Sequence, residues 1–248
     1  MRYLRRRSFL LISLLLCWTM AGGAAALVPA PPLQGEVMLP EGSDDATCQF
    51  IYRYTYPQVD GESDAALGIN GFYQYLAEDA LSFHVPMEAE HHQHQGSRGT
   101  LTVTYQIMYS GDDYLSVVTT TNRMLNDTSS PPVYAGHTFA LTGEMAGQVI
   151  SLPYLLGKLN PQETDTWLLD RQVRKSSQLV RTLVWEALTA MDDQARSGWT
   201  KEQLESSFFP EEDFFLNESG QLVFYLQPRG TSPFLTIPLS TQAILDEW

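Results

Sequence analysis

Hydrophobic and polar positions alternate along several stretches of this chain and recur at helical spacing along others. Cys48, Phe50, Tyr52, Tyr54 and Tyr56 alternate with Gln49, Arg53 and Thr55, which predicts a strand ended by Pro57. Asp60 to Asp64 supplies a turn with capping residues, and Ile69, Phe72, Tyr73, Leu76, Ala80 and Phe83 then follow at helical spacing. Gly68 and Gly71 weaken the first turn and predict a late start for that helix. Pro86 and Gly96 bracket a polar loop from Glu88 to Gly99. Leu101, Val103, Tyr105, Ile107 and Tyr109 alternate with Thr102, Thr104, Gln106 and Met108, and Gly111-Asp112-Asp113 turns the chain back into a strand from Tyr114 to Arg123. A strand from Tyr134 to Leu141, a short one from Gln148 to Ser151 and a short helix from Leu152 to Leu159 come next.

The longest helical pattern runs from about Thr164 to Arg196, with Thr164 or Asp165 as N-cap and a stripe of Val173, Val180, Val184, Leu188 and Met191. Gly198 closes it, and Thr200-Lys201-Glu202-Gln203 offers a capping box for a shorter helix to Phe209. Phe214 to Leu216, the turn residues Asn217 to Gly220, and Leu222 to Leu226 form a hairpin, with a third strand from Phe234 to Pro238 able to return beside it. One apolar face of that hairpin needs a cover, and the long helix just before it is the expected partner. The predicted fold is α+β: one mixed or antiparallel sheet packed against two amphipathic helices.

The ends of the chain read differently. Arg2, Arg5, Arg6 and Arg7 precede the apolar run Ser8 to Met20, and Ala24-Ala25-Ala26 offers a cleavage site, so residues 1–26 are expected to be a signal peptide. An uncleaved anchor through residues 8–28 is the competing reading. Lipidation at Cys17 is disfavoured by the bulky Leu14-Leu15-Leu16 before it. Pro29, Pro31, Pro32 and Pro40 suggest a linker over 27–45, the folded domain is expected over 46–240, and 241–248 form a C-terminal tail ending in Trp248. Removing residues 1–26 leaves 11 basic against 29 acidic side chains, a net of −18. Such a body is not expected to meet nucleic acid or an anionic membrane, and it steers cationic partners toward itself. Cys48 is then alone, so no intramolecular disulfide forms, and its place beside Phe50 suits a small buried hydrophobe.

Few residues suggest chemistry. Glu88, Glu90, His91, His92 and His94 carry metal-ligand chemistry, but their spacing fits no closed four-ligand site. His137 suits a structural hydrogen bond, and the acids Asp112-Asp113, Asp192-Asp193 and Glu211-Glu212-Asp213 lie at turns or helix ends, where solvated charge accounts for them. The ladder Phe50, Tyr52, Tyr54 and Tyr56 would stack sugars if exposed, and otherwise forms core. No catalytic, cofactor or metal residue is assigned, and an enzyme is not expected.

Ile69-Asn70, Tyr114-Leu115-Ser116-Val117, Phe139-Ala140-Leu141-Thr142-Gly143 leading to Ile150-Ser151-Leu152, Asp213-Phe214-Phe215-Leu216, Gln227-Pro228 and Thr236-Ile237-Pro238 occur in an order that resembles the extracytoplasmic domain of RsiV-like anti-sigma factors. That domain also sits beside polysaccharide deacetylases. The resemblance covers about Ala46 to Ser240 and implies an exported binding or sensing domain of the cell envelope. Lysozyme, a cationic protein, is what the best-understood members bind, so a protein of that kind or a cell-wall polymer is the expected ligand. The chain departs from the family where Ala135-Gly136-His137 reduces a Gly-rich segment and Arg229-Gly230-Thr231-Ser232-Pro233 shortens a loop. Only seven residues precede the apolar stretch, so sigma-factor sequestration is not expected. An envelope carbohydrate hydrolase using scattered carboxylates and a His-loop metal binder are the alternatives.

Overall fold

The computed structural model describes residues 27–44, 47–160, 165–192, 196, 198–228 and 234–248. The predicted signal segment 1–26 with Cys17, the alternative N-cap Thr164, Asp193 and the shortened loop 229–233 lie outside them. Among the described residues no helix is long and apolar enough to cross a membrane.

The architecture is α+β, but its strands divide between two sheets rather than forming one. The larger sheet contains β1 (Pro29–Leu39), β2 (Phe50–Val59), β3 (Gly99–Ser110), β4 (Tyr114–Leu125), β5 (Thr128–Ser129) and β6 (Val133–Ala140). Only β2 and β3 pair in parallel, and the helical crossover between them makes this possible. The smaller sheet is β7 (Phe214–Leu216), β8 (Leu222–Leu226) and β9 (Leu235–Leu239), all antiparallel.

Residues 29–39 are a correction to the expected linker: they form the edge strand β1, hydrogen-bonded along β2. Its register jumps between Ala30 and Leu33, and this irregularity puts Pro31 and Pro32 opposite the stretch of β2 that holds Pro57. Three residues without N–H donors therefore meet where the ladder is already interrupted, which explains why Pro57 does not end β2. Glu36 and Arg53, paired in register, form an exposed ion pair across the two strands.

The first helix, α1 (Asp64–Asp79), starts earlier than its glycines suggest, because the Ser63 hydroxyl accepts the Ala66 N–H at 3.2 Å as an N-cap. Gly68 has a packing role: a side chain there would press into the backbone of Gly147 in the turn after β6. The polar loop expected from Glu88 to Gly99 is instead mostly helical, since α1 runs through one π turn (Ala80–His84) into α2 (Val85–Gln95), which Gly96 ends at φ 62°. Ala66, Ile69, Tyr73, Ala77 and Val85 pack from this helix onto Phe50, Tyr52, Tyr56, Val103, Leu115, Val117 and Phe139.

After β6 the predicted strand 148–151 is reduced to a bridge, with Ala140 N–H donating to Gln148 and Ile150 N–H to Thr138. A short α3 (Leu152–Leu155) follows. Helix α4 (Thr166–Ala190) is capped by the Asp165 side chain, and α5 (Lys201–Ser207) by the reciprocal Thr200–Gln203 box. Val180, Val184 and Leu188 are fully buried against Phe214, Leu216, Leu222, Phe224, Leu226 and Ile237, which is the predicted pairing of long helix and terminal hairpin. The last residues are not a free tail. They form α6 (Thr241–Asp246), whose Ile244 enters the same core, while Lys175 and Lys158 lie over the Trp248 ring at 5.1 and 5.5 Å.

All five residues of β8 are buried, so both of its faces are covered. Leu222, Phe224 and Leu226 meet α4, whereas Val223 and Tyr225 meet Val118, Phe215 and half-buried Met108 and Tyr134. On β4, Leu115 and Val117 face α1, and Val118 faces the small sheet, as the strand period requires. The order of layers is α4, small sheet, large sheet, α1. Leu188→Ala is expected to cost about 2–5 kcal/mol of stability, and Trp167→Ala, at 64% exposure, within about 0.5 kcal/mol. Urea unfolding checks both, and a small effect at Leu188 contradicts the layer order.

Candidate functional site

The two sheets meet along the outer edge of β6, and the backbone groups of that edge create the problem the site solves. On its inner edge β6 pairs with β4. On its outer edge, Thr138 and Ala140 bond to the 148–150 segment, which leaves Tyr134 and Gly136 to find partners. Side chains of the small sheet supply them. Gln227 accepts the Tyr134 N–H at 3.0 Å and donates to the Tyr134 carbonyl at 2.5 Å, imitating a neighbouring strand. The Tyr225 hydroxyl accepts the Gly136 N–H at 2.7 Å. Buried Ser116 accepts the Leu216 N–H at 3.0 Å and shares a 2.9 Å bond with Thr138. Gly136 has to be glycine, because a Cβ would overlap the Phe214 carbonyl.

Along this seam lies a cavity of about 410 Å³, with His137, Glu211, Glu212, Asp213, Tyr225 and Gln227 among the polar groups and Phe72 and Tyr134 among the apolar walls. It joins two features that the sequence offered separately, His137 and the acidic run 211–213. His137 lies within β6, its ring edge-on to Phe72 at 4.9 Å and its Nδ1 3.4 Å from the Tyr73 hydroxyl. Burial lowers its pKa to about 4, so the ring is neutral in the folded protein at ordinary pH. Burial raises Asp213 to about 6, opposed by the bond its Oδ2 accepts from the Phe209 N–H at 2.7 Å. Glu211 accepts from Ser177 of α4 at 2.7 Å, and Glu212 is exposed at the mouth. Burial also raises the Tyr225 and Tyr73 phenols, which stay neutral donors and acceptors. The cavity is rich in acceptors and carries negative charge above pH 6, so it suits a donor-bearing cation.

The other candidates lie elsewhere. His92 is buried in α2, stacked on Phe50 at 5.4 Å, with Nδ1 2.8 Å from Ser97; burial lowers its pKa. Its Nε2 is 4.0 Å from Glu88, which itself bonds Arg123 at 2.7 Å. The His91 ring stands edge-on to the His92 ring at 5.9 Å, but His91, like Glu90 and His94, is exposed on the helix. Among the described residues no group of three or more His, Cys, Asp or Glu side chains is placed to hold a metal ion. Asp113 accepts from Thr142 at 3.3 Å in the β3–β4 turn beside Asp112, and Asp192 follows the end of α4. Phe50, Tyr52 and Tyr56 are buried and Tyr54 half-buried, so the ladder is core rather than a sugar platform. Cys48 is buried, its Sγ 3.1 Å from the Phe50 carbonyl.

No protein-family model and no curated protein matches the chain. Among the solved structures that share its fold are two DUF3298 proteins. A DUF3298 family member from Bacteroides fragilis NCTC 9343 superposes with a TM-score of 0.53 at 11% identity, over 90% of this chain and 94% of that one. A DUF3298 family protein from Pseudomonas aeruginosa PAO1 gives 0.51 at 12% identity, over 91% and 95%. The chain has the fold of a DUF3298-type domain. The alignments span almost the whole length of each of these structures.

The seam's two titrating groups act on stability in opposite directions. Below the ordinary histidine value of 6.5 the unfolded chain takes up a proton that folded His137 refuses down to about 4, so stability falls on acidification. Between 3.8 and about 6 folded Asp213 keeps a proton that the unfolded chain has lost, so stability falls as pH rises. Asp213→Asn is expected to steepen the loss on acidification from pH 6 to 4, and His137→Gln to reverse it, each by on the order of 1 kcal/mol per pH unit. Urea midpoints at pH 4, 5, 6 and 7 measure these slopes, and parallel curves for wild type and variants contradict the assignment.

Proposed function

We propose that the protein is an exported, non-enzymatic recognition domain of the RsiV-like type, and that its ligand is a cationic protein of the envelope environment, of which lysozyme is the example the resemblance supplies. One observation carries the reading: a cavity of about 410 Å³ along the seam between the two sheets is bordered by three acids, Glu211, Glu212 and Asp213, in a chain whose acidic residues outnumber its Lys and Arg by 29 to 15. A lysine or arginine from a partner meets there carboxylates, neutral His137 and aromatic walls. The same groups support binding over hydrolysis, because Asp213 and Glu211 are engaged by Phe209 N–H and by Ser177, and so act as fixed acceptors. A relay with a free nucleophile is not formed by these contacts.

Titration calorimetry with lysozyme at low salt tests the proposal. A stoichiometric heat that weakens with added salt, and that falls about tenfold in affinity for Glu212→Lys, is expected. Absence of heat with lysozyme, together with cleavage of a cell-wall glycan, favours the hydrolase reading instead. A stoichiometric zinc site lost in His91→Ala and His94→Ala favours the metal-binding one.

A further inference from the structure

The helix that crosses over the large sheet shows a second feature, which the seam does not use. Pro86 has no N–H and its ring conflicts with the carbonyl four residues back, so a regular α-helix cannot run through it unchanged. The chain responds with a π turn, in which Val85 N–H reaches back five residues to the Ala80 carbonyl. On the inner side this keeps Val85 in the core after Tyr73 and Ala77. On the outer side it has a geometric consequence. Eight α-helical residues overshoot two turns by about 80°, whereas a turn enlarged by about one residue removes most of that drift. By this geometry Phe83 and Met87 fall near the line of Tyr75 along the outer side of the helix.

These three side chains are exposed by 63% (Tyr75), 68% (Phe83) and 61% (Met87), a row about 18 Å long on the outer side of the α1–α2 helix. An aligned tyrosine, phenylalanine and methionine in water are the residue types that anchor interfaces, and methionine adapts to a partner's shape. The charge around the row selects the partner. Residues 64–95 contain Asp64, Glu78, Asp79, Glu88 and Glu90 and neither lysine nor arginine; Glu88 is already paired with Arg123 of β4 and Asp79 with His84, so beyond Asp64 at its start Glu78 and Glu90 are the acids of this helix left to meet a partner. A second copy of this chain would set acid against acid, and an anionic membrane would be repelled.

We infer that the Tyr75–Phe83–Met87 row is a docking surface for a basic amphipathic helix, whose apolar stripe packs along the row while its lysines or arginines lie against the flanking acids. An exposed apolar ridge along a helix is what a second helix fits, ridge into groove. The inference rests on reading the domain as a recognition module, but on a face separate from the seam.

The test is fluorescence anisotropy of the purified protein with an 18-residue helical peptide of leucine and lysine. A scrambled peptide of the same composition and a leucine–glutamate analogue serve as comparisons. The expected result is saturable binding of the helical basic peptide alone, weakened at least tenfold by Tyr75→Ser, Phe83→Ser and Met87→Ser together. All three positions face water, so circular dichroism is expected to show an intact fold, and Glu212→Lys is expected to leave peptide binding unchanged. Equal binding of the scrambled peptide, or of the peptide by the triple variant, overturns the inference. So does self-association of the wild type that the triple variant abolishes, since the row would then meet its own copy. Lysozyme binding without peptide binding overturns this surface and leaves the recognition reading standing; peptide binding without lysozyme binding does the reverse.

Discussion

A β-strand edge cannot stay buried with unsatisfied amides, and the meeting of the two sheets follows from how β6 meets this constraint. Tyr134 and Gly136 present backbone groups toward the small sheet, and no strand continues the ladder there. Gln227 and Tyr225 replace the missing strand with side chains. Because both come from β8 and the residue just after it, the bonds fix the small sheet against the large one in a single register. The full burial of β8 then follows: one face is pressed onto β4 and β6, and the other must be closed by α4.

The same arrangement accounts for the cavity. A side-chain imitation of a strand is shorter than a real one, so the contact between sheets stops beyond Tyr134 and Gly136 and leaves space bordered by Asp213 and His137. Their opposite pKa shifts have a common origin in burial, which disfavours whichever form is charged. The cavity is thus seated where packing between the layers ends, while α1 and α2 lie over the far face of the large sheet.

Much of the fold was legible because strand and helix periods are local. The β3–β4 hairpin, the Val180–Val184–Leu188 stripe and its pairing with the terminal hairpin, and the Thr200 capping box follow from neighbours a few residues apart. What escaped depended on distant partners. The prolines of 29–39 read as a linker, because nothing nearby shows that a bulge and Pro57 lie opposite them. Pro86 read as a loop boundary, because the π turn that accommodates it is set by Val85 reaching the core. The seam itself was legible only as fragments: His137 and the 211–213 acids were visible, and Gln227 stood out only beside Pro228 in the resemblance, with nothing local to show that it would bond Tyr134. Ser177, a buried polar residue beside the apolar stripe of α4, was the one available hint that a carboxylate, Glu211, sits above that helix.

Amide hydrogen exchange at Tyr134 and Gly136 measures the side-chain closure of β6 directly. The account predicts that both amides exchange as slowly as neighbouring amides bonded to β4, and that Gln227→Leu combined with Tyr225→Phe accelerates these two selectively. Exchange of Tyr134 and Gly136 at the rate of an open strand edge in the unaltered protein would contradict it.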